Sequence, residues 1–239
     1  MSEVTLHRVD ALDCRLVEHD WPFARERAAD IEANWQARLA TGQKLWNGRV
    51  LVSLDARVVE RDGQRIFRAD HFEVDYSPFL AHRDLGFPDP RVRNCFAMAA
   101  LRSSDGAFLV ARMGMHTANP GQLYFAAGTP DPGDVVGDHV DLAGSILREL
   151  EEETGITSDD VTLSSGYTIA FESGRIACLQ EARTNADANT LIARVKEFLA
   201  NEKAPEIDGL VAIRSEADFA KGPMPPFLPV YLRARLRGG

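Results

Sequence analysis

Four glutamates, Glu149, Glu151, Glu152 and Glu153, fall within five residues, with Arg148 just ahead of them. On a helix, Glu149, Glu152 and Glu153 stand at i, i+3 and i+4 and share one edge, while Glu151 points towards solvent. Glutamate runs on helices are usually only a solvated face, but two costs argue for a task here. Like charges at these spacings repel by roughly 0.2–0.5 kcal/mol per pair. They also sit in the last turn, at the negative end of the helix dipole, where Lys or Arg is expected. Arg148 offsets only part of this, and a divalent cation removes both costs. Mg²⁺ suits such a cluster, with Mn²⁺ able to substitute, because it takes a few carboxylates and completes its octahedron with waters and phosphate oxygens. An ion so held polarises a phosphoryl oxygen and makes bound water a better nucleophile.

The element that must position these groups is legible around them. The spacing predicts a helix from about Asp141 to Thr154. Asp141 suits the N-cap and Gly155 the position after the C-terminus. Leu142, Ile146 and Leu150 recur every fourth residue, with Ala143 and Leu147 beside them, so one face is core. The run Arg148-Glu149-Leu150-Glu151-Glu152-Glu153-Thr154-Gly155-Ile156 resembles the second half of the Nudix box, and every fixed position of that half matches. The resemblance implies that Glu149, Glu152 and Glu153 are metal ligands and that Arg148 orients them. It assigns the catalysis to Glu152, Glu153 and Arg148. The first half departs from the family pattern. Gly128 to Asp134 looks like its opening, with Asp134 where Glu is usual, but thirteen residues instead of seven then separate Asp134 from Arg148. A six-residue insertion before the helix accounts for this. It leaves Asp134 or Asp138 as a further ligand candidate and lengthens a loop near the substrate. The plainer reading of Asp131 to Asp138 is a polar, turn-forming loop.

Composition agrees with a metal-assisted phosphate chemistry. The net charge of −9 over 239 residues argues against nucleic acid or an anionic membrane as the main partner, since both favour basic patches. An acidic protein that handles phosphates needs cations to reconcile the charges. Three cysteines, Cys14, Cys95 and Cys178, without a CxxC spacing suggest neither a disulfide framework nor a zinc site. With no signal-like N-terminus and no bilayer-length apolar run, a cytoplasmic location is expected.

Strand and helix patterns interleave with a spacing that predicts a mixed sheet sandwiched by helices, an α/β (α+β) fold, with an N-terminal α+β extension. Gly86 to Pro90 is rigid and turn-rich. It divides the extension, residues 1–90, from a Nudix-like domain, residues 91–239. The extension is expected to hold a helix from Pro22 to Leu39 and strands from Arg49 to Glu60 and Arg65 to Tyr76. Further strands are expected at Cys95 to Leu101, Phe108 to Arg112, Leu123 to Ala127, Gly166 to Phe171, Ile176 to Glu181 and Gly209 to Ile213. A helix over 188–200 and a C-terminal helical stretch complete the chain.

Trp35 and Arg38 on the first helix, followed by Leu45-Trp46-Asn47-Gly48, are similar to the N-terminal region of animal and plant Nudix enzymes that act on nucleotide sugars. That resemblance implies cleavage of a UDP- or GDP-sugar to a nucleoside monophosphate and a sugar 1-phosphate. Read as packing alone, Trp35 and Trp46 close a small N-terminal core. Arg112, closing a strand before the box loop, is the candidate for holding a substrate phosphate. Glu172, in a loop between strands, is the candidate general base, and Glu206 or Asp208 could join the metal cluster. Tyr124 and Phe125 read as core, with one of them free to stack on a base. The expectation is a Mg²⁺-dependent diphosphatase acting on a small nucleoside diphosphate derivative. A nucleotide sugar is preferred over ADP-ribose or coenzyme A, and the rival is a catalytically inactive nucleotide-sensing module of the same fold. Family members are often homodimers, though nothing in the residues requires it.

Overall fold

A computed structural model describes residues 3–42, 45–117 and 119–237. The N-terminal part runs β1 (Thr5–Val9), β2 (Ala11–Leu16), α1 (Pro22–Glu26), α2 (Ala28–Ala40), β3 (Arg49–Arg61), β4 (Gln64–Asp75) and α3 (Tyr76–Asp84). It continues with β5 (Val92–Arg102), β6 (Phe108–Met113), β7 (Leu123–Tyr124), β8 (Val135–Val136), β9 (His139–Val140) and α4 (Leu142–Thr154). The last third holds β10 (Val161–Leu163), β11 (Tyr167–Glu172), β12 (Arg175–Thr184), α5 (Ala188–Leu199), β13 (Ile207–Ile213) and α6 (Phe227–Leu236).

Alternation along β5 sets the layers. Cys95, Ala97, Ala99 and Leu101 pack with Leu142, Ile146 and Leu150 of α4 and with Leu191 and Val195 of α5. Met98 and Ala100 face the opposite side, among Phe227, Leu228, Tyr231 and Leu232 of α6. A strand buried on both faces has to read as an unbroken apolar run, and 95–101 does. Full burial of Ile146 and Leu150 contributes about 1.5–3 kcal/mol each, which holds the carboxylate edge of α4 in place.

The strand path is β1-β11-β12-β5-β3-β4-β2-β9-β8, with β10 beside β12 and β6 paired to β5, β7 and β13. The β12–β5 and β2–β4 pairs are parallel and the rest antiparallel. The expected mixed sheet between helices is therefore present. Pairing crosses position 90 three times, at β1–β11, β2–β9 and β3–β5. The N-terminal part also has a small core of its own, built on Trp21, Phe23, Ile31, Phe72 and Phe79.

Several expected elements differ. The helix over 22–39 is two helices, broken at Arg27 (φ −110°, ψ 25°). Phe23 and Ile31 would lie about 80° apart on an unbroken helix, and the break lets both enter one core. Residues 123–127 form only a two-residue strand: Phe125 packs beside Phe108 and Tyr231, and Ala127 N donates to Glu153 of α4. The helix α3 has no local start signal. Its first donors are taken from far away, Tyr76 N by the Gly48 carbonyl (2.8 Å) and Ser77 N by Asn47 Oδ1 (2.7 Å). The three cysteines are free, buried thiols. Among the described residues no helix is long and apolar enough to cross a membrane.

Candidate active site

The carboxylate helix is fixed at both ends. Asp141 Oδ1 accepts from Gly144 N at 2.9 Å, and Gly155 takes the left-handed conformation that ends the helix (φ 67°). Its carbonyl accepts from Arg194 of α5 at 3.0 Å, which supplies the cation that the last turn lacks. Glu149, Glu152 and Glu153 then line one pocket, facing Glu202 and Glu206 from the stretch before β13. Of the two acids expected near that strand, Glu206 is in the pocket, whereas Asp208 is exposed and does not line it. Glu202 was not foreseen and carries no signal in sequence.

Arg148 Nη2 lies 2.6 Å from Asp134, and its Nη1 lies 2.9 Å from Glu149 and 3.3 Å from Glu152. Asp134 also accepts from Asp131 N at 3.0 Å and does not line the pocket. The acid of the loop thus braces the arginine that orients the glutamates. Asp138 sits 2.6 Å from His139 and is exposed, away from this cluster.

Burial is the main electrostatic fact. It pushes the Glu153 carboxyl up to about 8, against one donated hydrogen bond from Ala127 N and with help from the nearby charges of Glu206 and Glu149. Burial likewise raises Glu149 to about 7, against the attraction of Arg148. Glu153 Oε2 is buried and has no hydrogen-bond partner among the described residues. Among the described residues no three acidic, His or Cys side chains are already gathered tightly enough to hold an ion. The donor set nonetheless suits a hard cation, because every donor is a carboxylate oxygen and one buried oxygen lacks a partner. Glu152, 59% exposed, and the exposed Glu206 have room to rotate inward.

Gly128 brings the neighbouring loop against this cluster. A Cβ there would lie 2.5–2.7 Å from the Glu149 carboxylate, so only glycine permits the approach. On the other side of Ala127 and Gly128 opens a second pocket. Its floor is Phe96, Met98 and Phe227, and Asn94, Asn119 and Gln122 add amides. Arg83 and Arg175 add two cations. The β5–β12 register places Asn94 directly beside Arg175. Tyr124 lines this pocket, its hydroxyl accepting from Asn119 Nδ2 at 3.4 Å, while Phe125 is wholly buried.

Two expected site residues lie elsewhere. Arg112 donates to the Lys221 carbonyl at 3.0 Å and lines neither pocket. Glu172, at the end of β11, stands 3.6 Å from Arg175 and opens on a recess with Arg93 and Phe171, apart from the carboxylate cluster. Arg83, Asn94, Asn119, Gln122 and Arg175 were missed, since single polar residues in separate segments carry no pattern. Arg175 alone had a pointer, as the neighbour of the hairpin that Glu172 had drawn attention to.

No family model matches the chain, and no curated protein matches it. Among solved structures it is similar to a MutT protein from Methanosarcina mazei, at 19% identity and TM-score 0.43, over 61% of this chain and 94% of that one. It is also similar to a Nudix hydrolase from M. smegmatis, at 15% identity and TM-score 0.40, over 61% and 86%. A Nudix hydrolase from Nitrosomonas europaea stands at 15% identity and TM-score 0.40, over 62% and 90%. Likeness at this level does not decide what a chain does, and that question rests on the two pockets.

Proposed function

We propose that this chain is a Nudix-type hydrolase that splits the diphosphate linkage of a nucleoside diphosphate derivative, with a nucleotide sugar as the preferred substrate. The observation that carries this reading is the pair of adjoining pockets. One is lined by five carboxylates, the other is aromatic-floored with amides and arginines, and Ala127 and Gly128 of the second lie against Glu153 and Glu149 of the first.

Glu149, Glu152 and Glu153, with Glu206 opposite, would hold Mg²⁺. When bound, the ion polarises phosphoryl oxygens and lowers the pKa of water. Arg148, braced by Asp134, positions Glu149 and Glu152. Glu153, buried beside Ala127, would accept the proton of the attacking water through Oε2, in the ionised form that a bound cation favours. The water oxygen bonds to phosphorus and the bridging P–O bond breaks. One phosphate leaves with the nucleoside and the other with the sugar. The second pocket suits the organic part of the substrate, stacked on Phe96 or Tyr124 and read by the amides.

Purified protein incubated with Mg²⁺ and a panel of nucleotide sugars, ADP-ribose and coenzyme A tests this. Release of a nucleoside monophosphate, lost in a folded Glu153→Gln variant, is the expected result. Metal-dependent binding without any product would favour a nucleotide sensor instead.

A further inference from the structure

We infer that the N-terminal part completes the active site: Arg83, at the end of α3, works with Arg175 to bind the anionic oxygens of the substrate's diphosphate. The inference rests on the reading above for the nature of the substrate, but the anion-binding role of the arginines can be tested separately from it.

Each cation has one acid at long range and neither is saturated. The Arg83 side chain is 16% exposed and its nearest acid, Asp84, is 3.5 Å away. That carboxylate is already used: Arg38 donates to its two oxygens at 2.7 and 2.5 Å, and Asn34 donates at 3.1 Å. Arg175 has Glu172 at 3.6 Å, a distance that positions it without saturating it. Among the described residues neither guanidinium donates a hydrogen bond. Each carries five N–H donors in a fixed fork, and covering them without acceptors is unfavourable. A phosphate or diphosphate offers acceptors in matching geometry.

The pair is also in the right place. Tyr124 lies within the electrostatic reach of both Arg83 and Glu153, and Ala127 N donates to Glu153. A diphosphate lying across Ala127 and Gly128 would extend from the arginines to the carboxylates.

The fold places unusual effort in holding α3. Asn47 and Gly48 cap its start. Trp35 meets Tyr76 edge-on at 6.4 Å, and Arg38 grips Asp84. The segment after α3 is pinned as well. Phe87, in the left-handed region at φ 58°, covers Gly174, where any side chain would collide with its ring. Gly174 in turn immediately precedes Arg175, so this contact sets one arginine against the other. Trp35, Arg38, Asn47 and Gly48, the residues that marked the N-terminal part in sequence, all act on the helix that delivers Arg83.

Titration calorimetry with inorganic pyrophosphate and Mg²⁺, and separately with UDP and GDP, would be run on wild type, Arg83→Ala and Arg83→Lys. Arg83→Ala should weaken binding of pyrophosphate and of the nucleoside diphosphate about ten- to hundredfold. Arg83→Lys should recover part of this, with melting temperatures little changed. If Arg83→Ala melts early, Arg175→Ala carries the same test. Equal pyrophosphate affinity with and without the arginine, or no binding by wild type, overturns the inference. Arginine-dependent pyrophosphate binding, with UDP and GDP bound no better than pyrophosphate, supports the arginine pair and instead sinks the nucleotide reading.

Discussion

The two pockets differ in how they are built. The carboxylate pocket takes three of its acids from a single turn and a half of α4, spaced by helix geometry and held by a local N-cap, a local αL glycine and one buried stripe. The arginine and amide pocket draws on α3, β5, the β6–β7 loop, the β12 start and the lead-in to α6. Three of the five acids of one site are written in one segment, with Glu202 and Glu206 brought in by folding, whereas the other site exists only after the chain has folded. The first is therefore robust to changes elsewhere, and the second depends on every contact that fixes α3.

The largest effect expected on the local site is from Glu153→Gln. Removing the proton acceptor should lower kcat by about 10³-fold, within the usual range for a general base. The same change should raise the melting temperature near neutral pH in the presence of a chelator, because it removes a carboxyl that folding must protonate or bury as a charge. Retained turnover, or a lower melting point, would break the assignment of Glu153 as a buried catalytic group.

The N-terminal part has a titratable weakness opposite in sign to that of α4, where the buried Glu149 and Glu153 carboxyls lose stability as pH rises. His71 on β4 is fully buried, and neither ring nitrogen has a hydrogen-bond partner. Burial lowers its pKa to about 4 from 6.5. The folded-state pKa is depressed, so the neutral ring is compatible with folding above pH 6.5. Stability is lost as pH falls from 6.5 towards 4, where only the unfolded chain readily takes up the proton. The loss is about 3 kcal/mol at most. Denaturant titrations over this range should show it as the difference between wild type and His71→Phe, since the raised Glu149 and Glu153 carboxyls tilt both profiles the other way. An unchanged slope in that variant would put the acid sensitivity elsewhere.

Gly128→Ala strikes the boundary between the pockets. Its Cβ would meet the end of the Glu149 side chain, which can swing aside. The fold should survive with little change in melting temperature while kcat drops about 10- to 100-fold, in line with the loss from misplacing a catalytic group. A large fall in stability with activity intact would mean that Glu149 is not held where the chemistry needs it.

Legibility in sequence follows the same division. The helix over 142–154, its cap, its core stripe and the outward-facing Glu151 follow from 3.6-residue periodicity alone. The long β3–β4 hairpin was readable from its Asp62-Gly63 turn, where both residues take positive φ. The helix α3 was not, because its caps come from Asn47 and Gly48, about thirty positions earlier. Reading Trp46 as core was wrong: it is 85% exposed, and its neighbours Asn47 and Gly48 do the structural work. Arg112 donates to the Lys221 carbonyl and lines neither pocket, and nothing local in the sequence distinguishes it from Arg83 or Arg175, which do line one.

The smallest predicted effect is the one that best separates the two pockets. Asn47→Ala deletes one capping bond at the start of α3 and should cost about 1 kcal/mol of stability. Asn47 lines neither pocket, so any kinetic change has to travel through α3. Loosening that helix should raise KM severalfold, because Arg83 is less well placed, while kcat at saturation stays near wild type. In an Arg83→Ala background the same cap deletion should leave KM unmoved, since the group it positions is already gone. Additive effects on KM would instead mean that Asn47 acts on the pocket by another route, and that α3 is scaffold without a share in the chemistry.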